Sequence, residues 1–401
     1  MGTVDCVVVG AGPAGLAASA ALAAEGVEHV VLERGRVGES WRAHRWDSFR
    51  LNTPGSMNRL LGPLPDDEYT GRQDVVRRLD DVAGRCPVRA AVDVTGIAAH
   101  DGSLTLTTSD GPVHARSVVV ATGAENVPRL PPVAHTVPRR IHQETGASYR
   151  NPGALPDGAV LVVGSGQTGA QIVEDLHAAG RRVLLSASPV GRLPTPYRGR
   201  PMIEWLREAG FFDQRPEDLP DRAMTRMPNP LLPPGGDHDL DLRRLAVDGV
   251  ELVGRVTGAS DGRLHVDRSV GDSVAFAEAF AERARSMADR AIERLGLDVA
   301  PAEPEEPIDH PVRDVDELDL RAEGITSVVW CTGMGGSHDW LPDDLLDGGV
   351  PRHSSGRSPL AGLWFVGLRW MVRRCSSNLV GMPGDAAATA TAVSAHLAGR
   401  R

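Results

Sequence analysis

Two stretches of the chain share one succession of apolar and polar positions, in which a short unbroken apolar run leads through a glycine-rich turn into a helix-forming run. In the first stretch, Asp5–Val9 predicts a buried strand and Ala14–Ala24 predicts a helix. In the second, Ala159–Val163 predicts the strand and Gln167–Ala179 the helix. Because the order repeats, we expect two domains of one kind.

The same periodicity predicts further elements. Strands are predicted at Val27–Leu32, Leu104–Thr108, Ser117–Ala121, Arg182–Leu185, Val328–Gly333 and Gly362–Gly367. Helices are predicted at Met202–Ala209, Val274–Leu295 and Gly384–Leu397. Prolines at positions 128, 131, 132 and 138 indicate a connector, and residues 193–237, which are dense in Pro, Gly and Arg, are expected to be irregular.

The first glycine-rich turn reads Gly10-Ala-Gly12-Pro-Ala-Gly15, the spacing of a dinucleotide-binding fingerprint. Gly10 permits the tight turn, Gly12 lets the backbone approach a pyrophosphate, and Gly15 lets helix and strand pack closely. Unpaired amides at the helix N-terminus favour the negative charge. Glu33 ends the next strand about 20 residues on, where a carboxylate accepts ribose hydroxyls. The alternative is a glycine turn in an unrelated fold.

The second turn, Gly164-Ser-Gly166-Gln-Thr-Gly169, repeats this layout, but its next strand ends in Ser186 rather than in an acid. Without a carboxylate there, a 2'-phosphate is not repelled, and Arg192 or Arg198 could pair with it. Either arginine could equally be an ordinary surface residue. We therefore predict FAD at the first site and NADPH at the second.

These patterns predict an α/β fold with two interleaved Rossmann-like dinucleotide-binding domains, one for FAD and one for NADPH, each a parallel sheet with flanking helices. The FAD domain is expected over residues 1–135 and again over residues 331–401. The NADPH domain is expected over residues 155–330, with a helical insertion at about 195–300. The long helix Val274–Leu295 could cover the domain or form the contact of a homodimer.

Composition limits the classes of partner. A chain of 401 residues is long enough for two domains, and its net charge of −10 argues against a nucleic-acid partner. No apolar run approaches the roughly 20 residues that span a bilayer, so no membrane association is expected. The first strand starts at Val4, which leaves no room for a signal peptide, and we expect a cytoplasmic protein.

Cysteine and lysine usage excludes two chemistries. The four cysteines are scattered without a C-x-x-C pair, so the dithiol centre of thioredoxin-reductase-like enzymes is not indicated. The chain contains no lysine, which excludes Schiff-base catalysis by a lysine. Asp237-His238-Asp239 offers metal-ligand residue types, but it follows Pro-Pro-Gly-Gly in a polar loop, and a solvated turn is the better interpretation. No metal is predicted.

Four further segments resemble one family over nearly the whole chain. Gly38–Arg42 is similar to a G-x-x-W-R segment, and Trp46–Pro54 resembles a Y-x-S-L-x-x-N-x-P segment. Tyr149–Pro156 looks like the linker before the NADPH strand. Gly367 and the Arg373–Ser377 loop lie where a C-terminal flavin turn and a basic loop are expected. The family is the class B flavoprotein monooxygenases, specifically bacterial single-chain flavoproteins that are named after cation efflux and related to flavin-containing monooxygenases.

The resemblance implies a cycle in which NADPH reduces FAD, the reduced flavin traps dioxygen as a C4a-peroxide, and the peroxide oxygenates a nitrogen, sulfur or carbonyl centre of a small-molecule substrate. Asn52 would hold the nicotinamide and the peroxide by hydrogen bonds, as the catalytic residue. Alternatively, Asn52 forms an Asx turn before Pro54. Trp370 and Arg374 would contact the substrate; core packing and a solvated arginine are the respective alternatives.

The complete cofactor assignment combines the motifs with the resemblance. The FAD residues are Gly10, Gly12, Pro13, Ala14, Gly15, Glu33, Arg34, Trp41, Arg42, Ala121, Thr122, Gly123 and Gly367. The NADPH residues are Gly164, Gly166, Gln167, Thr168, Gly169, Ser186, Arg192 and Arg198.

The chain departs from the family at the fingerprint F-x-G-x-x-x-H. An ungapped alignment on Tyr149 puts its histidine at Thr145, and His142 is out of register. Because the family links that histidine to NADPH-dependent catalysis, its loss supports a second hypothesis, an NADPH oxidase or flavin reductase that releases hydrogen peroxide. A third hypothesis is a sensory flavoprotein, but a sensor has no need of the second glycine motif.

Overall fold

The computed structural model describes residues 3–100 and 102–399. Its strands, in chain order, are β1 (Val4–Val9), β2 (His29–Glu33), β3 (Val88–Ala90), β4 (Val94–His100), β5 (Ser103–Thr108), β6 (Val113–Val120), β7 (Val127–Pro128), β8 (His142–Thr145), β9 (Ala159–Val163), β10 (Val183–Ser186), β11 (Glu251–Val253), β12 (Val256–Ser260), β13 (Arg263–Val266), β14 (Glu317–Asp319), β15 (Ile325–Trp330), β16 (Met334–Gly335), β17 (Leu346–Asp347), β18 (Val350–Pro351) and β19 (Leu363–Phe365). Its α-helices are α1 (Pro13–Ala24), α2 (Glu39–Ala43), α3 (Arg72–Ala83), α4 (Gln167–Ala178), α5 (Met202–Glu208), α6 (Leu242–Val247), α7 (Val270–Leu295) and α8 (Met382–Ala398).

The first sheet is built around β1 and β6, which run parallel to each other. Beyond β1 lie β2 and then β3, both parallel. The long strand β6 has two neighbours on its other side: β19 runs parallel to its end, and β5 runs antiparallel to its beginning and continues into β4. The parallel sheet is confirmed, and the strand predicted at Leu104–Thr108 is found as β5. Strand β4 and the antiparallel pairing of β5 were not predicted.

The second sheet is parallel throughout, in the order β11, β10, β9, β15, β8. Strand β9 has the bounds that its apolar run predicts, because all five of its residues are buried between layers and an unbroken apolar run is typical of such strands. A small antiparallel sheet of β12, β13 and β14 stands beside it. The α/β fold class is therefore confirmed.

Alanine allows two helices to approach each other closely over the first sheet. Helices α1 and α8 pack together, and Ala14, Ala18, Ala386 and Ala390 are buried in their common core. Because β19 and α8 follow the whole second sheet in sequence, the first sheet is completed only by the C-terminal segment. The domain limits at residues 135, 155 and 330 stay a prediction.

The insertion has a core of its own. Helix α7 begins at Val270, four residues before its predicted start, and packs on α5 through buried alanines. Trp205 is fully buried there with Ala284 and Ala288. The apolar face of α7 is therefore used within this chain, and the homodimer stays a prediction. None of the helices in the described ranges has the length and apolar character to cross a membrane.

Candidate functional site

A cavity of about 480 Å³ lies where the two sheets face each other with the carboxyl ends of their strands. Its walls include the turn after β1, the end of β2, the turn after β6 and the start of α4. Ligands of open α/β sheets bind outside the carboxyl ends of strands, where neighbouring connections diverge. Here β1 and β6 form such a point in one sheet, and β9 and β15 form it in the other.

The glycines of the first turn have distinct surroundings. Gly10 has a φ of +103°, and a Cβ there would lie 2.7 Å from the carbonyl oxygen of Ala121. A Cβ on Gly15 would lie 1.8 Å from the carbonyl oxygen of Gly10. Gly12 has nothing within 4 Å of a Cβ and lines the cavity. The fold itself requires Gly10 and Gly15, whereas Gly12 leaves space for a ligand.

Backbone amides fix the position of Glu33. The N–H of Ala11 donates to its Oε2 at 2.7 Å, and the N–H of Gly35 donates to its Oε1 at 2.8 Å. The side chain lines the cavity beside Arg34. Since each carboxylate oxygen accepts more than one hydrogen bond, Glu33 can still accept from ribose hydroxyls.

Unpaired polar atoms lie along the turn after β6. Thr122 Oγ1 and Asn126 Oδ1 are buried and have no hydrogen-bond partner among the described residues, and both residues line the cavity next to Ala121 and Gly123. Most buried polar atoms in proteins are hydrogen-bonded. Two unpaired atoms in the cavity wall therefore indicate that this wall contacts a polar ligand. The sequence indicated Thr122 but missed Asn126.

The second turn repeats the pattern of the first. Gly164 has a φ of +104°, with the carbonyl oxygen of Cys331 2.5 Å from its Cβ position. A Cβ on Gly169 would lie 1.8 Å from the carbonyl oxygen of Gly164, and Gly166 has nothing within 4 Å. Gln167 and Thr168 line the cavity at the start of α4. The repeat supports a second dinucleotide at this turn.

Three residues predicted at the NADPH ribose are engaged elsewhere. Ser186 is buried; its Oγ donates to the carbonyl of Gly254 and accepts from the N–H of Val256. Arg192 is 1% exposed and pairs with the carboxylates of Asp239, Glu278 and Glu305. Arg198 pairs with Asp289 at 2.9 Å. None of the three belongs to the cavity wall.

The arrangement of Arg192 corrects its predicted role. A guanidinium that several carboxylates already neutralise has little attraction left for a 2'-phosphate. Arg243 lies in the same cluster and pairs with Asp241 at 2.7 Å. The carboxylates of Asp239, Asp241 and Glu305 come close enough to hold a metal ion, but each already pairs with Arg192 or Arg243. Arg192 therefore joins β10 to the insertion.

Aromatic residues line one wall of the cavity. The rings of Trp41 and Phe49 meet edge to face with centroids 6.0 Å apart, and those of Trp46 and Phe49 with centroids 5.1 Å apart. Arg45 lies over Trp41 at 5.1 Å, and burial lowers the pKa of its guanidinium. Arg42, which was predicted beside the flavin, is turned away and pairs with Asp80 at 2.5 Å. Arg45, unlike Arg42, lines the cavity.

Asn52 lies in the cavity wall, while Asn58 holds the loop that contains it. Asn58 is fully buried, and its Nδ2 donates to the carbonyls of Thr53 at 2.8 Å and Pro54 at 3.0 Å. Within the described ranges, no hydrogen bond joins the Asn52 amide to another residue. The local turn is therefore made by Asn58, and the Asn52 amide is available to a ligand.

The remaining predicted residues divide into two groups. Pro13, Ala14, Gly367 and Arg374 line the cavity. Trp370 is buried behind Arg374, 4.5 Å from its guanidinium. Thr145 ends β8 and hydrogen-bonds Ser148, and neither it nor His142 reaches the cavity wall.

The irregular segment at residues 193–237 adds cavity residues that the sequence did not indicate: Leu193, Ile203, Phe211, Phe212 and Leu232.

His238 lies between two carboxylates rather than at a metal. Its Nε2 is 2.7 Å from Glu174 and its Nδ1 is 2.8 Å from Asp237. The hydrogen bond to Glu174 contributes most to raising the pKa of His238 to about 9, so the ring is protonated at neutral pH. A protonated imidazole cannot be a metal ligand, which agrees with the turn interpretation.

Comparison with known proteins agrees with this geometry. Residues 7–192 match the family model of pyridine nucleotide-disulphide oxidoreductases. The chain is 26% identical, over 96% of both chains, to an oxidoreductase of Geobacillus kaustophilus named CzcO-like. It is 29% identical to the indole-3-pyruvate monooxygenase YUCCA1 of Oryza sativa, over 61% of this chain and 62% of that one. The flavin-containing monooxygenase from Stenotrophomonas maltophilia has the same fold, with a TM-score of 0.66 and 20% identity over 99% of each chain.

Fold, site and relatives together define the class. The chain is a flavin-dependent oxidoreductase with two dinucleotide-binding folds. Within that class its sequence and fold are similar to those of the class B flavin-containing monooxygenases.

Proposed function

We propose that the chain is an NADPH-dependent FAD monooxygenase that oxygenates a nitrogen, sulfur or carbonyl centre of a small molecule, with dioxygen as co-substrate. One observation carries this proposal: α1 and α4, the helices that follow the two glycine turns, begin at the same cavity. Two dinucleotides bound at those helix N-termini would bring a flavin and a nicotinamide into one enclosure. FAD, when bound, accepts the hydride of NADPH and activates dioxygen.

The residues present fit the two cofactors. At the first turn, the open position at Gly12 and the anchored carboxylate of Glu33 suit a pyrophosphate and a ribose. At the second, Gly166 offers the same opening. The unpaired Thr122 Oγ1 faces the first site. The first turn thus has a position for both the pyrophosphate and the ribose, and the second turn has a position for the pyrophosphate.

The protein's own contribution to oxygen transfer is shielding and hydrogen bonding. The aromatic wall of Trp41, Trp46 and Phe49 keeps water from the reacting centre. The free amide of Asn52 can donate one hydrogen bond and accept another at that centre. Oxygen transfer rather than release of hydrogen peroxide depends on this enclosure.

The oxidase alternative also has an observation in its favour. The position of the family histidine is held by Thr145, whose hydroxyl is engaged with Ser148. A threonine bonded in this way cannot replace an imidazole as a proton donor or acceptor near neutral pH. If the histidine is indispensable for oxygen transfer, the chain consumes NADPH and releases hydrogen peroxide.

A stepwise spectroscopic experiment separates these functions. Flavin-loaded protein is mixed anaerobically with NADPH, or with NADH, and oxygen is then admitted while flavin absorbance and hydrogen peroxide are followed. Fast bleaching by NADPH with slow reoxidation and delayed peroxide release is expected for the monooxygenase. Immediate reoxidation with stoichiometric peroxide would support the oxidase, and no bleaching by either nucleotide would contradict both.

A further inference from the structure

Arg374 has an unusual electrostatic position in the cavity wall. It is partly buried and lines the cavity. Among residues 3–100 and 102–399, no carboxylate lies within ion-pair distance of its guanidinium, whereas the preceding Arg373 pairs with Asp213 at 2.9 Å. A partly buried charge without a counter-charge is unfavourable. We therefore expect Arg374 to have a ligand-binding role that an ion pair within the chain would block.

The neighbours of Arg374 fix its orientation. Its Nε and Nη2 donate to Oε1 of Gln214 at 3.1 and 2.9 Å. The guanidinium lies 4.0 Å from the ring centroid of Phe211 and 4.5 Å from that of Trp370. Burial lowers the pKa of Arg374 to about 10, which leaves it protonated at neutral pH. Nη1 has no hydrogen-bond partner within the described ranges, so part of the donor fork is free.

The walls beside this cation are apolar. Leu193, Ile203, Phe212 and Leu232 line the same cavity, together with the ring of Phe211. They come from the irregular segment that separates the second glycine turn from α7. A cavity of this kind holds an apolar body and binds one anionic group through a charge-assisted hydrogen bond.

We propose that Arg374 binds the carboxylate of an organic acid whose apolar or aromatic body occupies the pocket of Leu193, Ile203, Phe211, Phe212 and Leu232. That this acid is the substrate rests on the proposed function. That the acid binds at Arg374 does not. A carboxylate suits the site because the planar guanidinium offers donors in a fork, and because the apolar walls reject a strongly hydrated ion.

The test uses matched ligands on the oxidised flavoprotein, without NADPH. Phenylacetate and 3-phenylpropionate are titrated against their neutral amides while changes in the flavin spectrum are followed. We expect each carboxylate to bind about ten-fold more tightly than its amide, since one charge-assisted hydrogen bond is gained. Equal affinities for acid and amide, or no binding of either acid at concentrations up to about 10 mM, would overturn the proposal.

Variants assign the effect to Arg374. Arg374→Gln should abolish the preference for the acids, and Arg374→Lys should keep part of it. Arg215→Gln removes the same charge one residue beyond Gln214, where the side chain is exposed, and should keep all of it. A preference that survives Arg374→Gln contradicts the proposal. So does a loss of affinity for NADPH but not NADH in that variant, because the guanidinium would then bind the nucleotide.

The two proposals fail separately. If the carboxylates bind but NADPH does not reduce the flavin, the proposed function is wrong and the anion site remains. If NADPH reduces the flavin but the acids show no preference over the amides, the anion site is wrong and the proposed function remains.

Discussion

At the scale of single residues, two asparagines in one loop have opposite surroundings. Asn58 is buried and fully engaged with the backbone of the loop, whereas Asn52 presents its amide to the cavity. Sequence alone offered an Asx turn as the competing role for Asn52. In the structure it is Asn58 that hydrogen-bonds the backbone of this turn. Substitutions at Asn52 and at Asn58 can therefore test ligand contact and loop stability separately.

Asn52→Ala should leave flavin reduction by NADPH within about two-fold of wild type and speed reoxidation about ten-fold or more, because one positioned hydrogen-bond group is lost. Stopped-flow absorbance with a peroxide assay measures both steps. Asn58→Ala should instead lower the free energy of unfolding by about 2 kcal/mol, since the carbonyls of Thr53 and Pro54 lose their donor. Unchanged reoxidation in Asn52→Ala would exclude its catalytic role.

The glycines of the second turn form another matched pair. Gly166→Ala should fold normally and weaken NADPH binding about ten-fold, since its Cβ meets no protein atom but enters the space predicted for the pyrophosphate. Gly169→Ala should cost about 3 kcal/mol or more of stability, because its Cβ would overlap the carbonyl oxygen of Gly164. Thermal unfolding and NADPH titration distinguish the two. Normal NADPH affinity in Gly166→Ala would contradict the assignment.

At the scale of elements, His238 joins the polar loop before α6 to α4 through Glu174. The pKa of His238 is raised from 6.5 to about 9 in the folded chain, first of all by that hydrogen bond. A raised folded pKa means that the protonated ring stabilises the fold fully below the unfolded value of 6.5. The contribution then declines as the pH rises to about 9.

His238→Gln should therefore be less stable than wild type at pH 6, and the difference should shrink by pH 9.5. We expect about 1 kcal/mol at most, because the side chain is 43% exposed and solvent screens the interaction. Urea unfolding of both proteins at the two pH values measures the difference. A gap that stays constant, or widens with pH, would show that protonation of His238 does not stabilise the loop.

At the scale of the whole molecule, the chain leaves the first sheet after β6 and completes it only with β19 and α8. Helix α8 covers α1, whose Ala14 and Ala18 it buries. Gly367, just after β19, lines the cavity close to Ala14. The first dinucleotide site therefore depends on both ends of the described chain.

Truncation after residue 362 should abolish FAD binding and leave the first sheet unable to fold stably, since β19 and α8 are removed together and the apolar face of α1 is exposed. Flavin absorbance and resistance to proteolysis measure the loss. The control is truncation after residue 399, which keeps all of α8. Flavin binding by the shorter protein would show that the C-terminal segment is dispensable.

The sequence by itself determined the repeated order of strand, glycine turn and helix. Apolar runs and glycine spacing are local signals, so β1, α1, β9 and α4 could be located from neighbouring residues alone. The glycine turns were recognisable for the same reason. The sequence also indicated cavity residues that follow directly after strands, such as Glu33 and Thr122, because strand ends meet at one edge of a parallel sheet.

Only the tertiary structure decided which charged and apolar side chains reach the cavity. Arg192 and Arg374 are both arginines in irregular segments, yet Arg192 meets Glu278 and Glu305, distant in sequence, and Arg374 meets no carboxylate within the described ranges. The apolar wall of Ile203, Phe211 and Phe212 has no periodic pattern that separates it from core. Ion pairing and cavity lining depend on contacts between segments far apart in the chain, which local patterns do not encode.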